Sequence, residues 1–414
     1  MGDGFFELPT TPKGKQKPKK AELSCASCGL DGDVLSPRME PFGDFKKGIL
    51  NIGEAPGKVE DEKGKPWQGR AGRALQAAYE ELSVDLFSDC LNINAVSCRP
   101  TDTQGNNRPP SSREIACCRQ RIFKVIDEIK PRVIILLGGI AVEAFLNHRW
   151  RKDLGGITRW RGWTIPDQDY NAWVCPVFHP SYVERSEDMP QVRIVWMQDL
   201  EKVFGMVGEF FPNHRASVED RVKIIEDLTT LDEYHRDTWV AIDYETTGIK
   251  PHADGHRIIC AAVATELQSY AFMMPETKKG RQPFLDLLAA EHVGKVAHNM
   301  KFEQAWSEIR LKQPVNSWVW DTILSAHVLD NRAGITKLKF QVYVNFGVVD
   351  YSSGVSSYLE TGDNDGNGKN KILDLIATPG GRNELLTYCG QDALFTAWLA
   401  KRHMEKILID YSGA

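Results

Sequence analysis

The stretch AIDYETTGI, residues 241–249, sets two carboxylates, Asp243 and Glu245, into an otherwise strand-forming run that ends in a Thr-Thr-Gly turn. Residues two apart on a strand project to the same face, so the two acids converge on one spot. Burying either charge without a partner is costly. A divalent cation satisfies both, and the fold of the second half of the chain turns on where its other ligands lie.

They lie downstream. AHNMKFEQAW (297–306) carries an N-x-x-x-E pattern that closes on Glu303, and YCGQDA (388–393) sets Tyr388 and Asp392 four apart, on one face of a helix. A D-x-E pair on a strand is by itself ordinary solvated surface; three such stretches in this order are not. Four carboxylates and a phenol suit a two-cation phosphodiesterase site. Hard oxygen ligands hold Mg²⁺ or Mn²⁺, two cations about 4 Å apart serve the attacking and leaving oxygens, and a hydroxyl orients water.

Through DYETTG, HNMKFE and YCGQD, residues 235–410 resemble the proofreading 3′→5′ exonuclease domain of the DnaQ-like superfamily, most closely that of type A DNA polymerases. The resemblance implies a ribonuclease H-like fold. It also implies that Asp243, Glu245 and Asp392 hold the cation that activates water, that Asp243 and Glu303 reach a second, and that Tyr388 positions the nucleophile. The second motif of the family usually ends in Asp; Glu303 adds a methylene and moves the carboxylate by roughly 1.5 Å. Too few residues follow Asp392 for a polymerase, so any polymerase partner is expected to be a separately encoded chain.

Ahead of this half, strand and helix patterns alternate. GILNIGEAPG reads as a strand and a Gly-rich turn, GRAGRALQAAYEEL as a helix, and DCLNINAVSC as a second strand. SSREIACCRQRIFKVIDEIK is a helix with a Ser cap and an acid in its first turn. PRVIILLGGIAVEAFL repeats the strand, glycine, helix rhythm, and AWVCPVFHPSY is a strand running into a loop. The alternation predicts a parallel three-layer α/β/α domain over residues 23–212, with its site on loops at the strand C-termini. A basic tail (1–22), a linker (213–230) and a second α/β domain (231–414) complete the expected organisation. In that second domain TWVAIDYET, RIICAAVAT and GKVAHN read as strands. QPFLDLLAAE, residues around 302–309 and 321–330, and ELLTYCGQDALFTAWLAKRH read as helices, and TGDNDGNGKNK (361–371) as a polar loop.

Nine cysteines, an odd number, in a chain without an export signal argue against a disulfide framework and for metal ligation. Cys25 and Cys28 have knuckle spacing, and Cys98 with Cys118 can complete a four-thiolate set for zinc or an iron–sulfur cluster. The flanking residues bear on that choice. GEAPGKVEDEKGKPWQGRAGRAL (53–75), NAVSCRP (94–100), REIACCRQRI (113–122) and HPSYVER (179–185) resemble, in order, the motifs of family 4 uracil-DNA glycosylases. The likeness covers about residues 23–210 and implies a [4Fe–4S] cluster on Cys25, Cys28, Cys98 and Cys118, with Cys117 at a position where the family has alanine. It implies that His179 donates to uracil O2, Asn94 reads the O4 and N3–H edge, and Trp67, at a place usually held by Phe, stacks under the flipped base. Glu54 would position water or balance charge on the sugar, and Arg185 would contact phosphate. Cys90, Cys175, Cys260 and Cys389 read as core residues.

Other readings are weaker. GEAPGK lacks the rest of a phosphate loop, and CRPTDTQGNNRPPSS (98–112) has no histidine with which a related branch of the superfamily traps uracil-DNA covalently. A formal charge of −5 excludes a uniformly cationic nucleic-acid binder and still allows a local basic groove. With no apolar run long enough to span a bilayer and no signal core, a cytoplasmic protein of a bacterial or phage-infected cell is expected, with no membrane partner. The sequence thus reads as an iron–sulfur uracil-DNA glycosylase joined to a Mg²⁺- or Mn²⁺-dependent 3′→5′ exonuclease, acting on uracil-containing DNA and DNA 3′ ends. The alternative is a non-catalytic uracil- or DNA-binding module that tethers a nuclease or a polymerase.

Overall fold

Apolar runs form the central strands of the first sheet. Its strands are β1 (Ile49–Gly53), β2 (Cys90–Asn94), β3 (Val133–Leu137), β4 (Ile165–Asp167) and β5 (Ala172–Val177), in the order β2-β1-β3-β5-β4. All neighbours run parallel except β4, which is antiparallel to β5. Every residue of β1 and β3 is buried, as strands covered by helices on both faces must be. The three-layer α/β/α arrangement expected for this half is the one observed. The computed structural model describes residues 23–32, 34–150, 154–349, 351–360 and 368–412; the tail expected over 1–22 and most of the loop expected over 361–371 lie outside them.

The predicted cap is present. Ser111 Oγ accepts from the Glu114 amide and the Glu114 carboxylate from the Ser111 amide, opening the helix Ser112–Ile129. The stretch after β5, expected as a loop, is instead a short helix, Pro180–Arg185, with His179 as its N-cap. Proline at the first helical position favours this, because its fixed φ suits the turn and its missing N–H is not needed there. The helix Pro190–Gly205 follows.

The second sheet contains β6 (Val222–Ile224), β7 (Trp239–Thr246), β8 (Ile258–Ala264), β9 (Ser269–Met273), β10 (Gly294–Ala297) and β11 (Trp318–Asp321), in the order β11-β10-β7-β8-β9-β6. β7, β8 and β9 form an antiparallel meander, while β10 pairs in parallel with β7 and with β11. The long helix Gly381–Ser412 contributes Leu385, Leu394 and Phe395 to the apolar core on β8 and β9. This is the ribonuclease H-like arrangement. Residues 213–230, expected as a seam, include the helix His214–Glu219 and the edge strand β6, which pairs with β9.

The two halves share one element. Helix Leu338–Phe346 puts Phe340, Tyr343 and Val344 into the core of the first half and Val342 and Phe346 into that of the second. Phe340 meets Trp160 at 5.1 Å between ring centroids. Tyr343 donates to Asp167 Oδ2 at 2.8 Å, and Arg149 holds the same carboxylate at 2.5 Å. Just beyond, Gly347 has φ +67°, and a Cβ there would come within 1.6 Å of the Pro166 carbonyl oxygen. Only glycine fits.

Candidate active sites

The loops at the C-terminal ends of β1, β2 and β5 enclose a cavity of 450 Å³ lined by Glu54, Trp67, Asn94, His179 and Arg185. The sequence motifs that carry these residues are up to 131 positions apart, and the sheet order makes them neighbours. Gly53 sets the floor: a Cβ on it would sit 2.5 Å from Asn94 Oδ1 and 2.8 Å from the Trp67 ring. Trp67 has φ +59° and its ring lies 5.7 Å from that of His179.

The His179 ring is held in one state. Its Nδ1 accepts from the Ser181 amide at 3.2 Å, which leaves Nε2–H as the donor. Burial, with a smaller contribution from the nearby Arg185 charge, lowers its pKa to about 4, so it is neutral at pH 7. Burial likewise pushes the Glu54 carboxyl up, against the opposing pull of Arg185. The cavity therefore offers a neutral imidazole donor and a carboxyl that is easily protonated.

Glu60, Arg70, Asn107 and Arg108 also line this cavity and were not singled out in the sequence. Glu60 Oε1 accepts from the Gly69 amide at 2.6 Å, pinning the start of the helix Arg70–Glu81. Arg108 grips Glu114 with two bonds of 2.9 and 2.6 Å, which lowers that carboxyl to about pH 2. The sequence marked Glu114 only as the acid in the first turn of a capped helix, and nothing in it pointed to Arg108.

Beside it the cysteine set assembles. Cys25 and Cys28 form the one-turn helix Cys25–Cys28, Cys98 follows β2, and Cys118 lies on the helix Ser112–Ile129. Cys118 feels the charges of Cys28, Cys25 and Cys98, and burial raises its thiol to about 11. Cys117 faces the same short helix, 3.8 Å from Ser27 Oγ, and its charge also acts on Cys28. Backbone amides serve the set: Arg38 N–H donates to Cys98 Sγ at 3.2 Å, and the backbone at Leu30 and at Ser97 lowers Cys28 and Cys118 respectively. Buried and half-buried thiols supplied with N–H donors are a donor set that suits a thiolate-bound cluster.

In the second half, Asp243, Glu245 and Asp392 each offer an oxygen within 4.8 Å of the others. Alternation along β7 puts the first two on one face, and the helix Gly381–Ser412 carries Asp392 over them. Burial, reinforced for Asp243 and Glu245 by neighbouring carboxylates, raises all three pKa values. Glu303 is buried nearby, where Asp243 is among the charges acting on it, and its Oε2 has no hydrogen-bond partner. Crowded, desolvated carboxylates with an orphaned oxygen are the expected condition of hard-cation ligands.

Tyr388 hydrogen-bonds Asp392. Three groups that the sequence did not reveal complete the surroundings. Tyr351 donates to Asp392 Oδ1 at 2.8 Å and stacks on Tyr388 with 6.0 Å between centroids. Lys339 lies 5.5 Å over the Tyr388 ring, and its charge eases the burden on Glu245 and Asp392. Cys389 Sγ sits 3.6 Å from Asp243 Oδ2.

Among the described residues no helix is long and apolar enough to cross a membrane. Residues 40–201 match the model of the uracil DNA glycosylase superfamily. The type-4 uracil-DNA glycosylase of Pyrobaculum aerophilum is 34% identical over 164 residues, which is 39% of this chain and 80% of that protein. A DNA polymerase of Bacillus phage SP01 is 25% identical over 327 residues, covering 71% of this chain and 34% of the phage protein. That span exceeds either half, so the likeness runs through both. The solved structure of Brucella melitensis NrnC is 18% identical, covers 45% of this chain and 84% of its own, and has a TM-score of 0.35. The superfamily model spans the strands and loops that enclose the first cavity, four-fifths of a type-4 enzyme is matched at 34% identity, and the chain belongs to the type-4 uracil-DNA glycosylase family.

Proposed function

We propose that the chain carries two hydrolytic sites for DNA: one excises uracil, in residues 23–212, and one removes nucleotides from 3′ ends, in residues 231–414. The observation that supports the first is the convergence of Glu54, Trp67, Asn94 and His179 on one cavity. A uracil flipped from the stack rests on the Trp67 ring, and the Asn94 amide matches its O4 acceptor and N3–H donor, a pattern that cytosine inverts. Neutral His179 donates from Nε2 to O2, where negative charge gathers as the glycosidic bond breaks. Glu54 orients the water that attacks the sugar, and Arg185 contacts the backbone phosphate. Cys25, Cys28, Cys98 and Cys118 hold a [4Fe–4S] cluster, which braces the loops that carry Cys98 and the first motif.

The second site rests on the acid cluster. Asp243, Glu245 and Asp392 hold one Mg²⁺ or Mn²⁺, and Asp243 with Glu303 reaches another. Bound there, the cations supply charge neutralisation for an in-line displacement at the terminal phosphodiester. Tyr388, fixed by its bond to Asp392 and by Tyr351, orients the attacking water. A separately encoded DNA polymerase is the proposed partner, a reading supported by the phage polymerase that resembles both halves.

One experiment tests both sites. An end-labelled oligonucleotide with a single uracil is incubated with the purified protein in EDTA, treated with alkali and sized. Cleavage at the uracil alone, lost in His179→Ala and kept in Asp243→Ala, is expected; with Mg²⁺ the strand should also shorten from its 3′ end, now lost only in Asp243→Ala. A strand left intact in EDTA by protein that retains the cluster's absorbance near 400 nm would replace the glycosylase with a non-catalytic uracil reader. Loss of both activities from either substitution would sink the two-site reading.

A further inference from the structure

Where the halves meet there is a crevice of 240 Å³ that belongs to neither site. Lys202 enters it from the first half, and Arg332, His403 and Lys406 from the second. Arg402, next to His403, adds its charge to both lysines. The balance of charge is one-sided. Asp330 is spent on Arg332 at 2.5 Å, and Asp199, an acid near Lys202, is held by Arg161 in two bonds of 2.7 Å. Arg402 and Glu405 line a neighbouring cavity rather than this one, and Glu405 acts on Arg402 there. Among the described residues Lys202, Arg402 and Lys406 make no ion pair, and Lys202 gives its ammonium only to the Gly162 carbonyl at 2.9 Å.

Desolvation and like charge lower Lys406 to about 8 and depress Lys202 as well. The same forces keep His403 neutral, its Nδ1 engaged with Ser325 Oγ at 2.8 Å. Lys202 and Lys406 thus share a crevice whose one carboxylate, Asp330, is engaged by Arg332, a balance that an anion relieves. We infer that this crevice is a phosphate-binding site, built only where the two halves meet and separate from both reaction centres. Lys406 lies fourteen positions beyond Asp392 on one helix, about 21 Å along its axis. The site depends on neither catalytic assignment.

Two sources present such a phosphate: the backbone of a DNA strand and a free nucleotide. The full chain, its Lys202→Ala/Lys406→Ala variant and the matching Lys→Arg variant are compared in EDTA. Binding of a long uracil-free single strand is followed by fluorescence anisotropy across a salt series, and binding of dAMP by calorimetry. If the backbone is the ligand, the slope of log K against log salt flattens by about 1.4 in the Ala variant, roughly 0.7 per lost contact, and Arg restores it. If a nucleotide is the ligand, dAMP binds the parent and the Arg variant but not the Ala variant, with the DNA slope unchanged. Unchanged behaviour in both assays overturns the inference, as does a loss that Arg does not restore.

Discussion

At Gly53 a single hydrogen atom keeps the first cavity open. A methyl there meets Asn94 Oδ1 and the Trp67 ring well inside contact distance, and neither neighbour is a flexible chain end. Gly53→Ala is expected to cost about 1–3 kcal/mol, as overpacking does, measured by urea unfolding. Uracil excision in single-turnover assays should fall at least about tenfold, the equivalent of some 1.4 kcal/mol in the barrier, with nuclease activity unchanged. At the other site the metal-free protein carries repelling carboxylates. Asp243→Asn should raise the melting temperature in EDTA and abolish the upward shift that Mn²⁺ gives the parent, worth about 2.7 kcal/mol at a hundredfold excess over Kd. Asp243 with Glu245, and Tyr388 with Asp392, were legible because a spacing of two on a strand or four on a helix places them without help from the rest of the fold. Tyr351 and Lys339 were not, since only tertiary contact brings them to Asp392 and no local pattern marks them.

The elements tell the same story one level up. Strands β1, β3, β7 and β8 were readable as apolar runs, and the helix Ser112–Ile129 by its cap and amphipathic face. Helix Leu338–Phe346 passed unread. Every residue from Phe340 to Phe346 is buried, because one side serves each core, so the polar face that reveals a surface helix is missing. β9 and β11 are short and adjoin stronger signals, and Pro190–Gly205 starts on proline rather than on a Ser or Asp cap. Because that shared helix ties the halves together, they should unfold as one. Calorimetry is expected to show a single transition whose calorimetric and van't Hoff enthalpies agree. Tyr343→Phe, which leaves the buried Asp167 short of a donor, should lower that transition by the equivalent of about 1–3 kcal/mol without splitting it.

For the whole molecule, buried histidines and buried carboxyls pull stability in opposite directions as the pH falls. His179, His214 and His298 are lowered to about 4, and His403 to about 3, in each case chiefly by burial. An unfolded histidine takes up its proton near pH 6.5, so between that value and about 4 the unfolded chain binds more protons than the folded one. The histidine contribution to stability must then fall as pH falls through this window. The raised carboxyls of the second site act in the opposite sense, since they take up protons more readily in the folded chain, so the test is a comparison of melting temperatures of parent and variant from pH 7 to 4. His403→Gln, which keeps a polar group beside Ser325, should gain stability relative to the parent as the pH is lowered; an unchanged difference would remove His403 from the account.

The seat of Gly347 against the Pro166 carbonyl also limits how such chains can be recombined. A chimera that joins this first half to a foreign nuclease at residue 212 severs no backbone within a domain, yet it leaves the ledge around Trp160 and Ile165 without Phe340, Tyr343 and the close-fitting glycine. No cut at residue 212 frees a swappable cassette: residues 335–347, which the gene writes inside the second half, complete the cores of both.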